Sequence, residues 1–189
     1  MSKLTDGILL YHGSYIEIPK IDLNKCTKGL DFGKGFYLTS SYEQALRYIP
    51  SAVKKNVRRG IIPNNYDISK ACVSIYKLHL SKDLIVHYFE TTNLDWLHFV
   101  ASNRNNYLFQ ELKIKLKDVD IIGGKIANDN TAIVLNAYVV GDYGIPGTKR
   151  TDDFTIESLL PNKLEDQFCF LTSKAINALE YLGSEPYGR

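Results

Sequence analysis

Three short stretches hold the residues best suited to chemistry. They are Tyr11-His12-Gly13-Ser14, then Gly33-Lys34-Gly35-Phe36-Tyr37-Leu38-Thr39, and finally Asp166-Gln167-Phe168-Cys169-Phe170. Each is expected to follow or form a strand. In chain order they offer an imidazole, a tyrosine ring and a carboxamide. An imidazole can exchange hydrogen bonds with a ligand, a ring can stack on a flat group, and a carboxamide can accept a hydrogen bond without carrying charge. Singly, each has a plainer use: a structural histidine, turn glycines at Gly33 and Gly35, a core tyrosine and a solvent-facing glutamine.

Spacing argues against several other chemistries. Gly33-Lys34-Gly35 fits neither the GxxxxGK[ST] phosphate loop nor the GxGxxG dinucleotide turn, and no GxSxG nucleophile elbow occurs. His79 and His87 lie in expected strands, without helical i, i+4 spacing or a paired acidic ligand, so no metal site is expected. Cys26, Cys72 and Cys169 are odd in number and widely spaced, with no CxxC pair. They read as three reduced thiols in a reducing cytosol.

Read together, the three stretches resemble the NAD-binding core of the diphtheria-toxin and poly(ADP-ribose)-polymerase class of ADP-ribosyltransferases. That class carries a His-Tyr-Glu set on separate strands of a split β-sheet. His12-Gly13-Ser14 matches its first motif, Gly33 to Tyr37 matches its Gly-Lys-Gly-x-Tyr motif, and Gln167-Phe168 stands where a glutamate usually precedes an aromatic. A nearer resemblance is to a bacterial family of small ADP-ribosyltransferase-like domains, some of which sit in toxin–antitoxin loci. It rests on DFGKGFYLT (Asp31 to Thr39) with Gln44-Ala45, on Trp96-Leu97 with Phe99-Val100, on Asn103-Arg104, on GKIANDN (Gly124 to Asn130) and on Asp166-Gln167. The matches run from Tyr11 to Leu182.

The resemblance implies an enzyme that takes NAD as co-substrate, releases nicotinamide and transfers ADP-ribose to a macromolecular acceptor, protein or nucleic acid. It implies a bacterial cytoplasmic effector, a toxin with a neutralising antitoxin, and no metal, because the cationic nicotinamide is already a good leaving group. His12 would donate a hydrogen bond to a ribose hydroxyl. Gly13 would present its backbone N–H and C=O to the nicotinamide amide, with Ser14 in support, and Tyr37 would stack on the nicotinamide ring. Gly35 belongs to the same binding set. Gln167 is the departure: it can accept a hydrogen bond from the ribose but supplies no charge and cannot act as a general base. Glu165 or Asp166 could supply that charge, and Glu165 would share a strand face with Gln167. Asn103-Arg104 has two readings, a solvated helix end or a grip on the NAD pyrophosphate. Asn128, Asp129 and Asn130 read as turn formers that cap the next helix, with a site role as the alternative their place in the family pattern implies; Asp31 reads as a loop-orienting turn residue and Trp96 as a core anchor. Lys54, Lys55, Arg58 and Arg59 have two readings, a solvated helix face or a patch that steers an acidic partner or nucleic acid. NAD hydrolysis and a catalytically silent NAD- or ADP-ribose-binding module are the alternatives.

The elements that must position these residues fit one domain spanning 1–189. The chain is 44% hydrophobic with a formal charge of +2, enough apolar content for one sizeable core and too little charge for a global polyanion-binding surface. No basic-then-apolar leader and no long apolar run is evident, so a cytoplasmic protein without membrane contact is expected. Strands are expected over Ile8–His12, Ala71–Leu80, Leu84–Phe89 and Gln167–Leu171, and Asp31–Thr39 reads as a loop feeding another. Helices are expected over Tyr42–Ile49, capped by Ser41 and ended or kinked by Pro50, and over Leu94–Ser102. Two more are expected over Asp153–Leu160, stopped before Pro161, and over Ser173–Leu182, stopped at Gly183. Val119–Ile122 is a short apolar run closed by Gly123-Gly124, and Thr131–Val140 is open between helix and buried strand. Without strict strand–helix alternation, the expected class is α+β with an antiparallel or mixed, split sheet and flanking helices.

Overall fold

A computed structural model describes residues 3–125, 129–159 and 165–188. Asn128, Leu160 and Pro161 lie outside the described residues, as do the side chains of Asp129 and Asn130. The fold is α+β, and its strands divide between two sheets. Strand β1 (Leu9–Ser14), β3 (Cys72–Leu78) and β7 (Leu179–Pro186) form an antiparallel sheet in the order β1-β3-β7. Strand β2 (Phe36–Leu38), β4 (Val86–Tyr88), β5 (Ile121–Lys125) and β6 (Asp166–Phe170) form a mixed sheet in the order β2-β6-β5-β4, with β4 parallel to β5. One isolated bridge, Tyr11 with Thr39, joins β1 to the end of β2.

Alternation along the strands dictates the layers. Leu10, Tyr76 and Leu78 of the first sheet meet Phe36, Leu38, Ile121, Phe168 and Phe170 of the second, so the two sheets bury one face each against the other. The outer face of the first sheet takes helix α1 (Tyr42–Arg58) through Ala45, Ile49, Ala71 and Val73. The outer face of the second takes α2 (Leu94–Arg104), α4 (Asp129–Val140) and α5 (Lys149–Ser158) through Trp96, Leu97, Leu135, Tyr138 and Cys169. The short helix α3 (Gln110–Lys115) lies beside α2, and α6 (Ser173–Asn177) leads into β7. Trp96 is wholly buried, the core anchor its sequence suggested. No helix among the described residues is long and apolar enough to cross a membrane.

Local signals explain most boundaries. Ser41 caps α1 by accepting from the Gln44 N–H, and Asn93 caps α2 by accepting from the Trp96 N–H. Thr131–Val140 resolves as helix within α4, and the helix expected from Asp153 begins earlier, at Lys149.

Three expectations are corrected. Pro50 does not end α1, which runs on to Arg58. Pro50 lies on the exposed side, and the buried stripe of Gln44, Ala45, Ile49 and Ala52 carries the helix past one missing N–H bond. Gly123-Gly124 do not close a run but lie inside β5. The expected helix to Leu182 stops at Asn177, and Leu179–Pro186 is a strand paired with β3. Ala175, Ile176, Leu179 and Leu182 mimic a helical stripe, but pairing with β3 wins. Gly183, at φ +140°, sits where the β3–β7 register shifts.

Candidate functional site

The two sheets part at the middle of β1, and three of the expected residues meet there. Tyr11 and Thr39 exchange two backbone bonds of 2.8 and 3.1 Å. In an antiparallel ladder the next such pair would be Gly13 with Tyr37. It does not form: the Tyr37 carbonyl accepts instead from His12 Nδ1 at 2.8 Å. The imidazole therefore acts as a wedge, with its ring 4.5 Å from that of Phe36 on the inter-sheet side. Because successive residues alternate edges, Gly13 shares the edge of Tyr11, and its N–H and C=O face the opening.

The His12 bond settles the direction of its other nitrogen. Burial pushes the imidazole pKa below its ordinary value, and the carbonyl bond offsets this only in part. In the neutral ring Nδ1 carries the proton, so Nε2 is an acceptor. The expectation that His12 donates to a ligand hydroxyl is thus reversed. A hydroxyl would donate to His12.

The Tyr37 hydroxyl is held by two hydrogen bonds. Its O–H donates to the Gly33 carbonyl at 2.8 Å and accepts from the Phe32 N–H at 3.0 Å. Burial holds the phenol well above its ordinary pKa, so it stays a neutral donor. The half-buried ring lies on the helix-facing side of its sheet, against the core around Trp96. Tyr37 pairs with Cys169, and Gln167 lies two residues along β6 on that same face. Gln167 is half-buried and pairs with Gly124, where the Phe32 ring fills the space a Cβ would need. Among the described residues no hydrogen bond engages the Gln167 amide. Glu165 forms an ion pair with Arg47 of α1, and Asp166 one with Lys125 of β5 at 2.9 Å, so both nearby carboxylates already face cations.

The remaining expected residues have mechanical roles on the page. A Cβ on Gly13 would stand 2.0 Å from the Ala45 carbonyl oxygen, so the missing side chain admits α1. A Cβ on Gly35 would meet Cys169 Sγ at 2.5 Å and the Phe170 carbonyl at 2.6 Å, so this glycine lets the loop close on β6. Ser14 is buried at the end of β1, opposite Cys72. Arg104 does not point into the opening. It grips Asp31 through Nε and Nη2 at 3.0 and 2.6 Å, and its Nη1 reaches Asn136 at 2.8 Å and the Ala132 carbonyl of α4. Asn103 donates to the Asp31 carbonyl at 3.0 Å. Together they position the loop that receives the Tyr37 hydroxyl.

Beside that loop lies a cavity of about 400 Å³ whose wall includes Gly33 and Lys34. Lys28, Asn106 and Lys113 also line it, and no motif singled them out. They come from separate segments, so only the folded chain brings them together. The basic run at Lys54–Arg59 lies on the exposed side and C-terminal end of α1, and Arg59 donates to the Thr27 hydroxyl at 2.9 Å. Cys26, Cys72 and Cys169 are unpaired thiols, and burial raises the pKa of each.

Fold and site thus define an α+β domain whose two sheets separate at a histidine wedge. The chain belongs to the family DUF3990, described as proteins of unknown function, whose pattern it matches over residues 8–181. No curated protein and no solved structure matches it.

Proposed function

We propose that this protein is a mono-ADP-ribosyltransferase that cleaves NAD at the sheet opening and passes ADP-ribose to a macromolecule. The observation carrying this reading is the His12–Tyr37 arrangement. It leaves the Gly13 backbone groups without a β2 partner where the sheets part, with the His12 ring on the inter-sheet side and the half-buried Tyr37 ring on the helix-facing side, Gln167 sharing the tyrosine's face. The Gly13 N–H and C=O are the complement of a primary carboxamide, which is what nicotinamide presents. In the reaction the nicotinamide–ribose C–N bond breaks and its electron pair leaves on the nicotinamide nitrogen, cancelling the ring charge. The acceptor's lone pair forms the new bond to the ribose carbon, and its proton goes to solvent. Gln167 orients the ribose by accepting from a hydroxyl. With no charge there, stabilisation of the oxocarbenium-like centre is weak.

Nicotinamide release from NAD, with and without cell extract, tests the reading. Release should need extract and vanish in Tyr37→Ala. Equal release without extract would make it an NAD hydrolase instead. Gln167→Glu should raise release by about tenfold or more, since a carboxylate adds charge where the positive centre forms. A silent NAD- or ADP-ribose-binding module is the second reading. It draws on the same neutral Gln167 and on the ion pairs that occupy Glu165 and Asp166. It predicts NAD binding without release. The context of a cytoplasmic bacterial toxin with an antitoxin rests on resemblance, and neutralisation of growth arrest by a co-expressed partner would test it.

A further inference from the structure

The 400 Å³ cavity is lined by Lys28, Lys34, Arg104 and Lys113, with the amides of Asn103 and Asn106. Asp31 neutralises Arg104. Among the described residues no carboxylate lines the cavity, and no ion pair engages Lys28, Lys34 or Lys113. Lys113 is half-buried and tied to the wall, donating to the Asn106 side chain at 2.9 Å. Three ammonium groups without an ion-pair partner among the described residues face one hollow, a charge arrangement that favours an anion there. Next to Asn106 stands Tyr107, 95% exposed. Beside Lys113 stands Ile114, 67% exposed. A bare aromatic ring one residue along the chain from the wall of a cation-lined hollow matches the two contacts that hold an unpaired strand: phosphate on lysine and base on ring.

We propose that this cavity and Tyr107 bind single-stranded nucleic acid, and that the strand bound there is the acceptor. Its role as acceptor rests on the transferase reading above, but its binding does not. A duplex keeps its base faces stacked on one another and offers none to Tyr107. Position supports the assignment: Gly33 lines the cavity, and its carbonyl receives the Tyr37 hydroxyl, so one loop borders both the cavity and the opening.

The test is fluorescence anisotropy of a labelled mixed-sequence 20-nucleotide strand, as DNA and as RNA, titrated with the full chain at low salt and without NAD. One strand type or both should bind, and the matching duplex at least tenfold more weakly. Lys28→Ala/Lys113→Ala and Tyr107→Ala should each weaken binding by about tenfold. These changes should leave the melting temperature as in wild type. No binding, equal duplex binding or variants that bind like wild type would overturn the proposal. So would a lysine variant that raises the KM for NAD but leaves strand binding intact, since the cavity would then hold the phosphates of NAD. Label from NAD that resists nuclease but yields to protease would make the acceptor a protein and also overturn it. Strand binding that persists with no nicotinamide release would instead sink the transferase reading.

Discussion

A histidine that gives its Nδ1 proton to a backbone carbonyl has one nitrogen left, and burial decides what that nitrogen is. For His12 the folded pKa lies below the unfolded value of 6.5, so the unfolded chain binds the extra proton first. Stability is therefore fully present above pH 6.5 and falls as the pH drops through that value toward the lower folded pKa. His87 is shifted in the same direction by burial and adds to the effect. The melting temperature should be lower at pH 5 than at pH 7.5, and His12→Gln should reduce that difference while leaving the His87 share. A wild-type melting temperature flat across this range would show that neither imidazole is held neutral. Sequence motifs pointed to His12 and Tyr37, and the structure brings both to the opening. They could not show that the ring meets a backbone carbonyl rather than the tyrosine side chain, because that bond depends on where two sheets stop pairing.

Among the elements, the pairing of β1 with α1 is the least forgiving. The Gly13 Cα faces the Ala45 carbonyl of α1 so closely that a methyl group would overlap backbone, which no rotamer change can relieve. Gly13→Ala should destabilise the fold by about 3 kcal/mol, toward the upper end of overpacking costs, read from chemical denaturation. A loss below about 0.5 kcal/mol would mean that α1 slides freely along the sheet. Strand β3, the cap of α1 and the buried Trp96 were legible in the sequence, since each is written in local residue type and alternation. The C-terminal strand was not. Its apolar residues satisfy a helical period as well as a strand, and only β3 as a neighbour decides between them. The cavity beside Lys34 was not legible either. Lys28, Asn106 and Lys113 lie in separate segments and carry no spacing of their own.

Across the molecule, Arg104 ties three separate segments: the loop before β2 through Asp31, its own helix α2, and α4 through Asn136. Both partners of the Arg104–Asp31 pair are largely buried, with side chains 15% and 9% exposed. Removing the arginine alone leaves a carboxylate in the interior without its cation, a change that costs about 3 kcal/mol or more. Arg104→Ala should therefore lower stability by that amount, and adding Asp31→Asn should restore a good part of it, because no charge is then stranded. The double variant also separates the two readings of this arginine. If Arg104 only holds the loop beneath Tyr37, recovered stability should bring back the KM for NAD. If it also grips the NAD pyrophosphate, stability should recover while the KM stays raised. The four contacts of the guanidinium within the protein favour the first outcome. A double variant as unstable as Arg104→Ala would show that the bonds to α4, rather than the buried charge, are what the fold depends on.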